Sequence, residues 1–373
     1  MKPLLATFFI AALVTAAFTP LVIRLAPRIG AMDIPCDGRR VHCRPIPRLG
    51  GLAIYAGIFV SFLRMLPWNE QLFGIFCGGT LIFLLGVVDD IRCISPPVKL
   101  AGQIACALIT FVFSVQIRGM MNLLPVGPDY IAFPLWLSLA VTVFWIVGIT
   151  NTINLIDGLD GLAAGIVCIA CLTVAYTSVL RGRPETAGII LAVAGATMGF
   201  LVFNFYPAKI FMGDGGSMLL GFMLASVSLA GDTPTKGTTL FATVIPVMIL
   251  ALPIFDTLFA IARRMVNRQP IMQADRGHLH HRIMAMGFGQ RRTVLALYSI
   301  SIIAGVSGIL WSSDMRLEAM ALLLVAFSLI VIFLGIGIVD VGSETAAVDS
   351  PQKNPQNENI YNRDATETPE EDV

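Results

Sequence analysis

The chain has 373 residues, of which 56% are hydrophobic and 13% charged, with a formal net charge of +1, whereas soluble proteins carry about 25% charged residues. With a mean hydropathy of +0.80, this excludes a disordered protein, a basic nucleic-acid-binding domain and most soluble enzymes, because a soluble surface needs more charge. The apolar residues also fall in blocks long enough to cross a hydrocarbon layer of about 30 Å, so the expected fold is an all-α, polytopic integral membrane protein.

Breaking the sequence at charges, Pro and Gly predicts eleven spans, near 4–24, 50–66, 72–88, 99–117, 131–149, 161–180, 188–204, 216–231, 239–262, 294–311 and 319–339. Lys2 and the small residues near Ala16 resemble a signal peptide, but the length of the first block predicts an uncleaved span. Residues 1–340 form one membrane domain with no internal repeat. From Gly342 onward eight acids face only Lys353 and Arg363, so 341–373 reads as an acidic, disordered tail. The seven cysteines are odd in number and several lie in apolar segments, which predicts free thiols. The loops after spans 1, 3, 5, 7 and 9 hold sixteen Lys and Arg against seven on the other side. The positive-inside rule places those loops, the acidic tail and the C-terminus in the cytoplasm, with the N-terminus outside.

The chemistry gathers on that same cytoplasmic side. Asp89, Asp90, Asp157, Asp160, Asp214 and Asp256 all fall at cytoplasmic span ends or loops. Carboxylates beside lipid are costly without a compensating cation, so six on one face suggest a divalent metal. Loop 1 carries Arg39, Arg40, His42, Arg44 and Arg48 among prolines, part of it topogenic and part open to substrate. Asp89-Asp90 ends span 3, where the helix dipole disfavours acids. A pairing of Asp90 with Arg92 is the alternative to a functional cation. Asn151, Asn154, Asp157 and Asp160 crowd the turn after span 5. If the helix continues through 154–161, residues 154, 157 and 160 share one face, with Gly158 and Gly161 admitting a close ligand.

Asp214 and Ser217 open span 8, either as N-caps or as a place for a hard cation to bridge Asp214 to a phosphate. Lys209 is a phosphate partner or an interfacial lysine with its head in water. The loop 263–293 is the most basic, and its Arg276, His278, His280, His281 and Arg282 suit a dianionic diphosphate better than zinc, since no Cys is near and His280 lies off the face of His278 and His281.

Six strings in order resemble the polyprenyl-phosphate N-acetylhexosamine-1-phosphate transferases, the WecA and TagO family, and more distantly the MraY translocase. They are Pro45-Ile-Pro-Arg-Leu-Gly-Gly51, Val88-Asp-Asp90, Asn151-Thr-Ile-Asn-Leu-Ile-Asp-Gly-Leu-Asp-Gly-Leu162, Lys209-Ile-Phe-Met-Gly-Asp-Gly-Gly-Ser217, Pro253-Ile-Phe-Asp256 and Asp275-Arg-Gly-His-Leu-His-His281. The resemblance implies transfer of a HexNAc-1-phosphate, from UDP-GlcNAc or a related UDP-sugar donor, to undecaprenyl phosphate in the bilayer of a bacterial cell membrane, with release of UMP.

By the same resemblance Asp89, Asp90, Asp157 and Asp160 are catalytic. Asp214 with Asp90 holds Mg2+, or Mn2+ in its place, and Asn151, Asn154, Lys209, Asp256, Arg48 and the histidine loop bind substrate. No nucleic acid is expected as a partner, and a homodimer is left open. The Gly-His-Leu-His-His loop, without three consecutive histidines, favours this donor over a muramyl-pentapeptide donor. An ion-coupled transporter is the rival of another class, but its acids belong near the midplane and within inverted repeats.

Overall fold

The computed structural model describes residues 2–34, 45–65, 68–121, 130–230, 247–266, 268 and 278–348. In chain order these form α1 (Lys2–Leu25), an antiparallel ribbon of β1 (Met32–Asp33) and β2 (Ile46–Pro47), α2 (Gly50–Leu63), α3 (Glu70–Arg92) and α4 (Pro96–Val112). A second antiparallel ribbon, β3 (Gly119–Met121) with β4 (Tyr130–Ala132), leads to α5 (Leu135–Ile156), α6 (Leu162–Leu180), α7 (Pro184–Asn204) and α8 (Gly213–Leu229). Then come α9 (Ala251–Val266), α10 (Leu279–Ala285), α11 (Gln290–Ser312) and α12 (Arg316–Val348).

Local signals set the boundaries that matter for the site. The Asn69 side chain caps α3 by accepting from Leu72 N at 2.8 Å, and Pro residues open α4 where no donor is needed. Helix α5 stops at Ile156, because Gly158 follows and Gly161 takes a left-handed φ of 78°. Residues 154, 157 and 160 therefore do not share a helix face: the condition of a helix continuing through 161 is not met, and a turn stands there.

Helix α8 is buried along almost its whole length, as a helix apolar on all sides must be. Around it pack α2, α3, α5, α6 and α7; α1 packs on α2 and α7, and α11 joins α12 to α6. Small residues allow the close approaches. A Cβ on Gly86 would stand 2.5 Å from the Gly215 backbone, and one on Gly195 or Gly199 of α7 would strike the Phe8 or Ala12 carbonyl of α1. Outward faces are apolar, with Phe9, Phe144 and Leu317 well exposed, the surface that lipid covers.

Among the described residues seven helices are long and apolar enough to cross a membrane: Pro3–Ile29, Glu70–Arg92, Leu135–Ile156, Leu162–Leu180, Pro184–Asn204, Gln290–Ser312 and Arg316–Phe333. The protein is thus a multi-pass, predominantly α-helical membrane protein. The other four expected spans fall on α2, α4, α8 and α9, which are 14 to 17 residues long, short of the roughly 20 residues a full crossing takes. Residues 239–246 of the ninth expected span lie outside the described residues. Helix α12 runs through Val348, so its last turns take in the first eight residues of the expected tail; 349–373 lie outside the described residues.

One end of the bundle gathers the start of α2, the end of α3, the start of α4, the end of α5 and the start of α8. That end carries the acids.

Candidate active site

The site is built on the turn that opens α8. Gly213 sits at φ 73°, and a Cβ there would lie 2.5 Å from Asp90 Oδ2, so a side chain is excluded on two counts. The turn aims two backbone N–H groups at Asp90: Asp214 N donates to Oδ1 at 2.8 Å and Gly215 N to Oδ2 at 2.9 Å. The segment before α2 lies against the same turn, with Gly50 N donating to Phe211 O and Gly51 N to Met212 O. This delivers Arg48, whose Nε is 3.1 Å from Asp90 Oδ1 and whose Nη2 is 3.3 Å from Asp214 Oδ1. Burial opposes the Arg48 charge, but Asp214 and Asp90 outweigh it and its pKa is raised. Asp90 therefore pairs with Arg48 and not with exposed Arg92, because its side chain turns inward from the end of α3.

Asp89 faces α4. Its Oδ1 accepts from Ile94 N at 2.9 Å and its Oδ2 lies 2.8 Å from Lys99 Nζ. That ammonium also reaches Asp214 Oδ2 at 3.1 Å and Asn154 Oδ1 at 3.2 Å. In the sequence Lys99 stands only as one of the sixteen topogenic charges. The signal that would have found it is its place one turn into an amphipathic helix that starts within ten residues of two acids. Asn154 completes the clasp, donating to Asp214 Oδ1 at 2.9 Å and Ser217 Oγ at 2.8 Å. Asp214 lies in the first turn of α8, with Met212 in the cap position, so of the two alternatives the N-cap gives way to these side-chain contacts. Asn151 lies one turn back on α5, exchanging amide hydrogen bonds with Gln103 of α4 at 2.7 and 3.1 Å.

The two acids of the turn after α5 part company. Asp160 Oδ2 accepts from Ala208 N at 2.9 Å, which ties the turn to the chain entering α8. Asn204 and Tyr298, neither singled out from sequence, reinforce that tie: Gly161 N donates to Asn204 Oδ1 at 3.1 Å, and Tyr298 Oη donates to Gly161 O at 2.5 Å. Asp157 takes no hydrogen bond or ion pair from any described residue. Burial, then the nearby charge of Asp214, pushes its carboxyl up to about 7.

Four carboxylates, Asp89, Asp90, Asp157 and Asp214, thus surround two cations, Arg48 and Lys99. Hard oxygen donors with excess negative charge fit Mg2+ by their chemistry. Among the described residues no three acidic, Cys or His side chains close on one point at metal distance. Lys99 Nζ stands between Asp89 and Asp214 in this arrangement.

The histidine loop comes to the same end through Asp256, which is buried on α9. Asp256 Oδ2 lies 3.0 Å from His278 Nδ1, and Oδ1 accepts from Leu279 N at 2.8 Å. His280 is buried, and burial first, then the neighbouring His281, drives its pKa down to about 3. Its Nε2 has no hydrogen-bond partner among the described residues and lies 2.9 Å from where a Cβ on Gly158 would stand, so the loop rests on the turn between Asp157 and Asp160. His281 and Arg282 are half-buried, with the Arg282 guanidinium 5.4 Å from the Phe259 ring centre. Lys209 is exposed, and its side chain joins none of these contacts. Arg276 lies outside the described residues.

Fold and site together define a multi-pass membrane enzyme with a carboxylate-rich centre at one end of its helix bundle, flanked by a histidine loop. Residues 72–232 match glycosyl transferase family 4. The chain is 41% identical over 314 residues to a probable undecaprenyl-phosphate N-acetylglucosaminyl 1-phosphate transferase of Bacillus subtilis, covering 84% of this chain and 86% of that protein. It is 35% identical to a decaprenyl-phosphate N-acetylglucosaminephosphotransferase of Mycobacterium tuberculosis, over 77% of each chain. A phospho-N-acetylmuramoyl-pentapeptide-transferase of Moorella thermoacetica is more distant, 29% identical over 83% of this chain and 97% of that protein. The chain belongs to glycosyl transferase family 4. It is a membrane phosphoglycosyltransferase, as the six sequence strings imply.

Proposed function

We propose that the protein transfers GlcNAc-1-phosphate from UDP-GlcNAc to undecaprenyl phosphate, releasing UMP and leaving the lipid-linked diphospho-sugar that starts an envelope glycan. The observation that carries this reading is the clasp on Asp214, in which Asn154, Lys99 and Arg48 hold one carboxylate at the opening of α8. The names of the Bacillus and Mycobacterium relatives supply the sugar and the lipid. The charge count of the loops supports a cytoplasmic site, where a nucleotide sugar is available.

The reaction breaks one phosphoanhydride and forms another, so it is close to balanced and requires no ATP. An oxygen of the lipid phosphate attacks the β-phosphorus of the donor, and the bond from that phosphorus to the bridging oxygen breaks as UMP leaves. Both reactants are anions, so the barrier is chiefly repulsion and positioning. Arg48 and Lys99 supply positive charge beside the acids, and His278, His281 and Arg282 supply a basic, hydrogen-bonding wall for the donor. Asp214, with Asp157, whose carboxyl takes no hydrogen bond or ion pair from any described residue, would hold Mg2+. A bound Mg2+ supplies charge neutralisation at the diphosphate.

The contacts of Asp89 and Asp90 support direct attack over a carboxyl-phosphate intermediate, since both are held by N–H donors and cations. A panel of UDP-sugars offered with undecaprenyl phosphate tests the reading. UDP-GlcNAc should give the most butanol-extractable product, and a panel in which no UDP-HexNAc gives any would overturn it.

A further inference from the structure

Asp256 belongs to the histidine loop's support and not to the acidic cluster. Its side chain is 6% exposed and that of His278 9%. Both carboxyl oxygens are spent, one on His278 Nδ1 at 3.0 Å and the other on Leu279 N at 2.8 Å. Both oxygens are thus turned toward the histidine loop. The Leu279 contact satisfies a backbone donor at the start of α10, and the Nδ1 contact fixes which way the ring is turned. A carboxylate offers only acceptors, so Nδ1 carries the proton whether the ring is neutral or charged. Nε2 is then the nitrogen left for a ligand, and among the described residues it has no partner. The His278 and His280 rings lie parallel, 5.8 Å apart, and His280 abuts Gly158 beside Asp157. That contact places His278 at the edge of the acidic site.

We propose that Asp256 is a positioning residue acting through His278: it holds the ring by Nδ1 so that Nε2 faces the diphosphate of the donor. This rests on the transferase reading above. Asp256 then stands one step back from the substrate, and not among the groups that bind it as the sequence resemblance implies. Outer carboxylates that orient a metal-ligating histidine are worth about 10- to 100-fold in function, and the same scale is expected here.

Two measurements test it in the full-length protein. The first needs no substrate. The chain has four histidines, so labelling them with 15N in membranes leaves few side chains to assign by solid-state NMR, His278→Gln identifying the signal. The His278 ring should be protonated at Nδ1 and free at Nε2. In Asp256→Asn, whose amide still accepts from Leu279 N but turns a donor toward the ring, the proton should shift to Nε2. A His278 tautomer unchanged by Asp256→Asn would overturn the proposal, whichever donor the enzyme uses.

The second is a double-mutant cycle on donor turnover. Asp256→Asn should lower kcat/KM for UDP-GlcNAc by about 10- to 100-fold and have almost no further effect in a His278→Gln background. Asp256→Glu should recover part of the loss. Full additivity would show Asp256 acting independently of His278 and would sink the proposal. Failure of every donor would fall on the transferase reading alone, and the NMR result would still decide this one.

Discussion

Lys99 ties three side chains of the site together, touching Asp89, Asp214 and Asn154. Its ammonium neutralises acids that would otherwise repel one another and the incoming phosphates. Lys99→Met should therefore lower kcat by at least about 100-fold, the cost of losing one well-placed charge-stabilising group, with Lys99→Arg retaining part of the activity. Steady-state kinetics at saturating Mg2+ checks this, and a Met variant within about threefold of wild type would remove Lys99 from the reaction.

The engagement of Asp89 and Asp90 makes a second expectation. Labelled UMP should not exchange into UDP-GlcNAc in enzyme stripped of polyprenyl lipid. Robust exchange there would make one of the pair a nucleophile.

His280 sets a third. Its pKa falls from 6.5 to about 3 in the folded protein, so the stability it contributes is full above 6.5 and is lost as pH falls toward 3. Thermal unfolding in detergent between pH 7 and 4 should show this loss, and His280→Asn should flatten it.

At the level of elements, the sequence made the helices legible because their apolar runs are bounded by charges, and it placed the acids at one end because each acid sits where a run stops. What it could not supply were contacts between distant segments. Arg48 reaches Asp90 and Asp214 only because the chain before α2 lies along the Phe211–Met212 backbone, and no local pattern encodes that pairing. The turn after α5 departs from its sequence pattern for a different reason. A helical repeat at 154, 157 and 160 is present in the letters, but the glycines end the helix first.

The fit of α1 on α7 depends on Gly195 and Gly199, where a small residue every fourth position lets two backbones approach. Gly195→Leu should push α1 off α7 and lower the unfolding temperature measurably, while Gly148, which has open space at its Cβ position, should accept Ala with little change. Equal effects at the two positions would contradict this packing account.

Among the described residues, the acids, the three histidines 278, 280 and 281, Arg48 and Lys99 lie at one end, and lipid-facing apolar surface covers the sides. Cys93 is exposed beside Asp89, so a membrane-impermeant maleimide should label it in inverted membrane vesicles and not in intact spheroplasts if that end is cytoplasmic. The central claim is that a sugar and its phosphate leave the nucleotide together at this end. The most direct measurement uses purified protein, undecaprenyl phosphate, Mg2+ and UDP-GlcNAc labelled with 32P at the β-phosphate alone. The expected result is label in the lipid fraction with unlabelled UMP released in equal amount. Label that stays in the aqueous phase as UDP, with or without sugar reaching the lipid, would contradict it.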